Sequence, residues 1–248
     1  MPLPVHEIFI DKLTDEFKKE LRAFNDSRDP VISLAAQSTE DRRHTNIELD
    51  TNTIRSPDAA FGTRSANFPG VVCEVLYAQN PKELKYIAQD YISGSNADIG
   101  VVVGVNISYP DTKEGTLFVW RPAFTADETG HEIAECRQII SETFRHADGT
   151  VVDDGKGLIL SLEDFISGAT FDSNSPLTTT ADIQWPSITI SSSRLAQLLA
   201  EAEKRHELVR SQTGVSSLRR RRLGTGPGER SWKRSKRTPI PPLSETDV

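Results

Sequence analysis

Cysteine is scarce. The 248-residue chain holds two, Cys73 and Cys136, too few for a disulfide framework. Stability must therefore come from a packed core in a reducing compartment, with each thiol acting as a small buried apolar group. Long apolar runs are also missing. The longest, residues 99–105, has the length of a strand, and no 18-residue apolar window exists, so no membrane partner is expected. Residues 1–10 lack a basic segment followed by an apolar one, which predicts a nuclear or cytoplasmic rather than a secreted protein. The five histidines (His6, His44, His131, His146, His206) fall at no ligand spacing, so no zinc site is readable. There is no Gly-x-Ser-x-Gly elbow to support a serine hydrolase.

What the chain does have is charge, unevenly placed. Its formal net charge is −7, with 36% hydrophobic and 26% charged residues. Residues 204–248 carry 12 Lys/Arg against 4 Asp/Glu, and residues 1–203 carry 17 against 32. The body is thus −15 and the tail +8, the pattern of a folded domain with a polyelectrolyte arm.

Periodicity predicts the order of elements. Phe17, Leu21 and Phe24 mark a helix over 15–24, and Pro30 closes it. The apolar run 31–36 reads as a short strand, 37–55 as a loop or weak hairpin, and 57–61 as an extended piece. The clearest unit is 69–107. Val71–Tyr77 is a buried strand, and Asn80-Pro81-Lys82-Glu83 starts a helix with Leu84, Ile87, Ala88 and Tyr91 on one face. Residues 99–107 are a second buried strand. This order predicts a parallel crossover. Further strands are expected at 116–121, within 131–152 and at 157–162, then a short helix at 163–165. A Ser/Thr-rich loop should fill 167–185, with a late strand at 187–190 and a helix at 194–210. The expected fold is α/β, a central mixed sheet flanked by helices over residues 5–190, then a C-terminal helix at 191–211 and a disordered basic tail at 212–248.

Two carboxylates stand out. Asp58 follows Ser56-Pro57, and Glu74 interrupts the apolar strand Val-Val-Cys-Glu-Val-Leu. A carboxylate within a buried strand is costly unless it is paired, metal-bound or at the strand's end. Asp58 and Glu74 on adjacent strands would bring two oxygen ligands to one point, as Mg²⁺ requires, and such an ion would support phosphodiester hydrolysis. The same residues admit a structural role, with Asp58 holding turn N–H groups and Glu74 paired with a Lys or Arg. Tyr86 and Tyr91 read as packing residues.

The run Ser56-Pro57-Asp58-Ala59, Pro69-Gly70-Val71-Val72-Cys73-Glu74-Val75, Gln79 and 84–92, continued by the strands at 101–104 and 118–122, resembles the PD-(D/E)xK nuclease superfamily over residues 15–165. It is most similar to the Uma-type restriction-endonuclease-like proteins and to fungal proteins related to them. The resemblance implies a restriction-endonuclease-like fold, catalytic Asp58 and Glu74 as ligands of Mg²⁺, and action on nucleic acid. One departure is plain: the pattern's Lys, two residues after the Glu, is Leu76 here. In several branches of this superfamily the Lys migrates to the following helix, or Gln replaces it. That implicates Lys82 or Gln79, with Lys85 third. An upstream helix acid, Glu16 or Glu20, completes the expected set.

The second candidate region is the tail. Arg219-Arg220-Arg221-Arg222 and Lys233-Arg234 with Lys236-Arg237 form two basic clusters about ten residues apart. They fit a bipartite signal for a nuclear import receptor, and equally fit phosphate contacts through counterion release. The two functional expectations are therefore a Mg²⁺-dependent nuclease-like protein and a catalytically silent nuclear binding module on the same fold.

Overall fold

The computed structural model describes residues 5–42, 45–50, 53–77, 82–126, 129, 131–152, 155–167, 177 and 183–215, with side chains described to residue 211. The fold is α/β, as expected: a mixed six-stranded sheet flanked by helices, with a C-terminal helix.

The chain begins with α1 (Val5–Asn25), which runs ten residues ahead of the expected helix. Val5, Ile8, Phe9, Leu13, Phe17 and Leu21 recur at three- and four-residue spacing or beside it and are all buried, so the first half of the helix is fixed by packing. Residues 31–36, expected as a strand, lie instead in α2 (Pro30–Ser38). The Asp29 carboxylate accepts from the N–H groups of Val31 (2.8 Å) and Ile32 (3.4 Å), and Pro30 occupies the first turn. A cap and a proline at that position start a helix, so Pro30 opens one rather than closing one.

Strands β1 (Thr39–Asp41), β2 (Ile47–Leu49), β3 (Thr53–Arg55), β4 (Ala59–Thr63) and β5 (Val71–Tyr77) follow. β2 and β3 form an antiparallel hairpin separate from the main sheet. α3 (Lys82–Gly94) then crosses to β6 (Val101–Ile107), which runs parallel to β5, so the predicted crossover is present. The Asn80-Pro81 start signal lies outside the described residues. β7 (Gly115–Ala126) and β8 (Glu132–Arg145) add antiparallel, giving the order β1-β4-β5-β6-β7-β8. β9 (Gly157–Ser161), α4 (Leu162–Phe165), β10 (Ser187–Ser191) and α5 (Ser192–Val215) complete the fold. β9 and β10 pair with each other. Most of the expected 167–185 loop, and the chain beyond 215, lie outside the described residues.

Strand alternation divides the core in two. Val71, Cys73, Val75, Val103 and Val105 face α1, α5 and the β9–β10 pair. Val72, Leu76, Val102 and Trp120 face α3, where Leu84, Ala88, Tyr91 and Ile92 cover them. α3 lies close to the sheet because Gly104 lacks a side chain. A Cβ there would lie 2.7 Å from the Trp120 ring and 3.2 Å from Leu84. α5 packs on the body through Leu195, Leu198, Leu199 and Ala202, all buried. It is anchored by Arg145 of β8, which donates to Glu203 of α5 at 2.5 and 3.2 Å. Among the described residues, no helix is long and apolar enough to cross a membrane.

Candidate active site

β4 starts at Ala59, whose ladder partner on β5 is Cys73. One step further, the backbone of β4 gives way to the Asp58 side chain. Its Oδ2 accepts from the Val75 N–H at 2.7 Å, so the carboxylate takes the place of the next strand carbonyl. Asp58 therefore meets β5 beside Glu74. This bond crosses between strands and is not the local turn contact that a Pro-Asp pair suggests by itself.

Glu74 lies on the face of β5 turned toward α3. Its Oε1 accepts from the Tyr91 hydroxyl at 2.6 Å. Tyr91 is fully buried, so the residue expected merely to pack also fixes the Glu74 carboxylate. The Glu74 partner is thus a hydroxyl, where a Lys or Arg was the expected structural alternative. Arg55, at the end of β3, is close by; its Nη2 forms an ion pair with Asp90, the residue before Tyr91. Burial pushes the Glu74 carboxyl up to about 7. The Tyr91 hydrogen bond and the Arg55 charge oppose that rise, and the Asp58 charge adds to it. Burial also raises Asp58, against the Val75 bond and the charge of His6 and with that of Glu7.

On the α1 side, Asp58 borders a cleft of about 580 Å³ lined by His6, Glu7, Ile10, Asp11, Ser56 and Pro57. This corrects the choice of upstream acid. Glu16 is bound by Arg194 of α5, and Glu20 lies beside Lys19 at 3.6 Å. The α1 acids at the Asp58 cleft are Glu7 and Asp11, in the part of α1 that precedes the predicted helix, and of these Glu7 adds its charge to Asp58. Leu76, at the Lys position of the pattern, is buried against α3. Lys82 and Lys85 are exposed on α3. Gln79 and the basic clusters at 219–222 and 233–237 lie outside the described residues.

Among the described residues, no three His, Cys, Asp or Glu form a metal-holding group. A hard dication does not need three, since Mg²⁺ keeps several waters and binds proteins through one or two carboxylates. The donor set fits that mode. The two hydrogen bonds engage one oxygen of each carboxylate, leaving Asp58 Oδ1 and Glu74 Oε2 outside them. Both acids are half-buried, and the Asp58 charge raises the proton affinity of Glu74, a charge environment that a dication relieves.

No protein-family model, no curated protein and no solved structure matches the chain.

Proposed function

We propose that the protein is nuclease-like, with Asp58 and Glu74 holding Mg²⁺ for phosphodiester hydrolysis on nucleic acid. The observation that carries this reading is the bond from the Val75 N–H to Asp58, which brings Asp58 onto β5 next to the Glu74 position, where its charge acts on Glu74. When bound, the ion would activate water and stabilise charge on the phosphoryl oxygens. The chain's own part is to fix the ligands: Val75 N–H orients Asp58, and the Tyr91 hydroxyl orients Glu74. Glu7 adds an acid on the cleft side of Asp58. Lys82 on the first turn of α3, or Gln79 before it, would fill the role of the missing Lys. In this reading the basic tail clusters contact an import receptor or nucleic-acid phosphates.

Burial of Leu76 at the Lys position favours a second reading, a catalytically silent nuclear binding module on the same fold. Cleavage of a plasmid and of a short oligonucleotide in Mg²⁺ or Mn²⁺ separates the two. Asp58→Asn and Glu74→Gln should each lower the rate at least about 100-fold, the scale of losing a group that acts in the transition state. Equal background cleavage by all three proteins leaves the silent module.

A further inference from the structure

The site described above is acidic, with Glu7, Asp58, Glu74 and Asp90 on its elements, and a phosphate would need a cation there. Arg55 supplies one. It lies three residues before Asp58, and its Nη2 pairs with Asp90, whose neighbour Tyr91 holds Glu74. The guanidinium charge acts on Glu74, one of the two proposed ligands. Asp90 engages one of its five donors. Its Nε is buried with no hydrogen-bond partner among the described residues, while 33% of the side chain reaches solvent. A buried charged donor without an acceptor is costly, and the cost is relieved when a ligand brings acceptors. A planar fork of N–H groups suits phosphate oxygens better than a point charge does.

We propose that Arg55 binds a phosphate group at this site, supplying from β3 the cation that Leu76 cannot supply from β5. This rests on the reading of Asp58 and Glu74 as a metal pair, and its test separates the two. A thymidine tetranucleotide and inorganic phosphate are titrated into the full chain in Ca²⁺, with Mn²⁺ binding measured in parallel. The proteins are wild type, Arg55→Gln and Asp90→Asn. Both substitutions break the Arg55–Asp90 pair, but only the first removes the guanidinium. Arg55→Gln should weaken tetranucleotide binding at least tenfold with Mn²⁺ affinity within about twofold of wild type. Asp90→Asn should strengthen it severalfold by removing a competing anion. Equal weakening by both variants assigns Arg55 a purely structural role and overturns the proposal, as does failure of the wild type to bind either probe. Arg55-dependent phosphate binding without Mn²⁺ binding keeps this proposal and sinks the metal pair. Binding of inorganic phosphate but not of the tetranucleotide keeps Arg55 as a phosphate ligand and sinks the nuclease assignment.

Discussion

Glu74 holds an acid at an apolar place, and its cost depends on pH. Its carboxyl lies near 7 in the folded chain against an ordinary 4.5. The folded state thus binds the extra proton between those values, and its stability falls as pH rises through them. Glu74→Gln removes that decrement while keeping an acceptor for the Tyr91 hydroxyl. Above pH 7 the variant should be more stable than the parent by on the order of 3 kcal/mol, since each tenfold change in proton affinity is worth about 1.4 kcal/mol. The gain should vanish below about pH 4.5. Urea midpoints at pH 4.5 and pH 8 check this, and a pH-independent difference would contradict it. At the same scale, Asp58 and Glu74 are legible in the sequence because each breaks a local rule, a Pro-Asp beside an extended run and an acid in an apolar strand. Their companions are not. Glu7, Arg55 and Tyr91 look like ordinary helix-surface, hairpin and packing residues until tertiary structure brings α1, β3 and α3 against Asp58 and Glu74.

The elements that can be read are those whose local signals agree with their tertiary role. β5, α3 and β6 show apolar runs and a four-residue stripe, and all three are present. α2 reads wrongly as a strand because Val31 and Ile32 favour strands and Pro30 suggests a break, whereas the Asp29 cap outweighs both. α5 is legible as a helix, but not what it packs on, because Glu203 looks like one more surface acid. In the fold Glu203 and Arg145 are 4% and 3% exposed and pair across α5 and β8. Breaking a buried pair from one side leaves an uncompensated charge, at a cost of about 3–5 kcal/mol. Glu203→Ala should therefore lower stability by about 3 kcal/mol or more. The double variant Arg145→Met/Glu203→Leu should recover much of that loss. Chemical denaturation of the two proteins checks this, and a double variant as unstable as the single one would show that the charge pair is not what fastens α5.

At the scale of the whole molecule, charge sets the condition that any nucleic-acid function must meet. Residues 1–203 carry −15, which repels a polyanion, while residues 204–248, from the last turns of α5 onward, carry +8 that offsets it in part. The candidate site lies in the acidic part, so a bound dication and Arg55 are what would let a phosphate approach Asp58 and Glu74. That makes metal binding the central claim. Its most direct test is calorimetric titration of the full chain with Mn²⁺ at pH 8, where Glu74 is ionised, and again at pH 5.5, where it is protonated. The account predicts one ion per chain at pH 8, at least tenfold weaker binding at pH 5.5, and loss of the ion in both Asp58→Asn and Glu74→Gln. Absence of binding in the wild type, or binding that survives both substitutions, would contradict it.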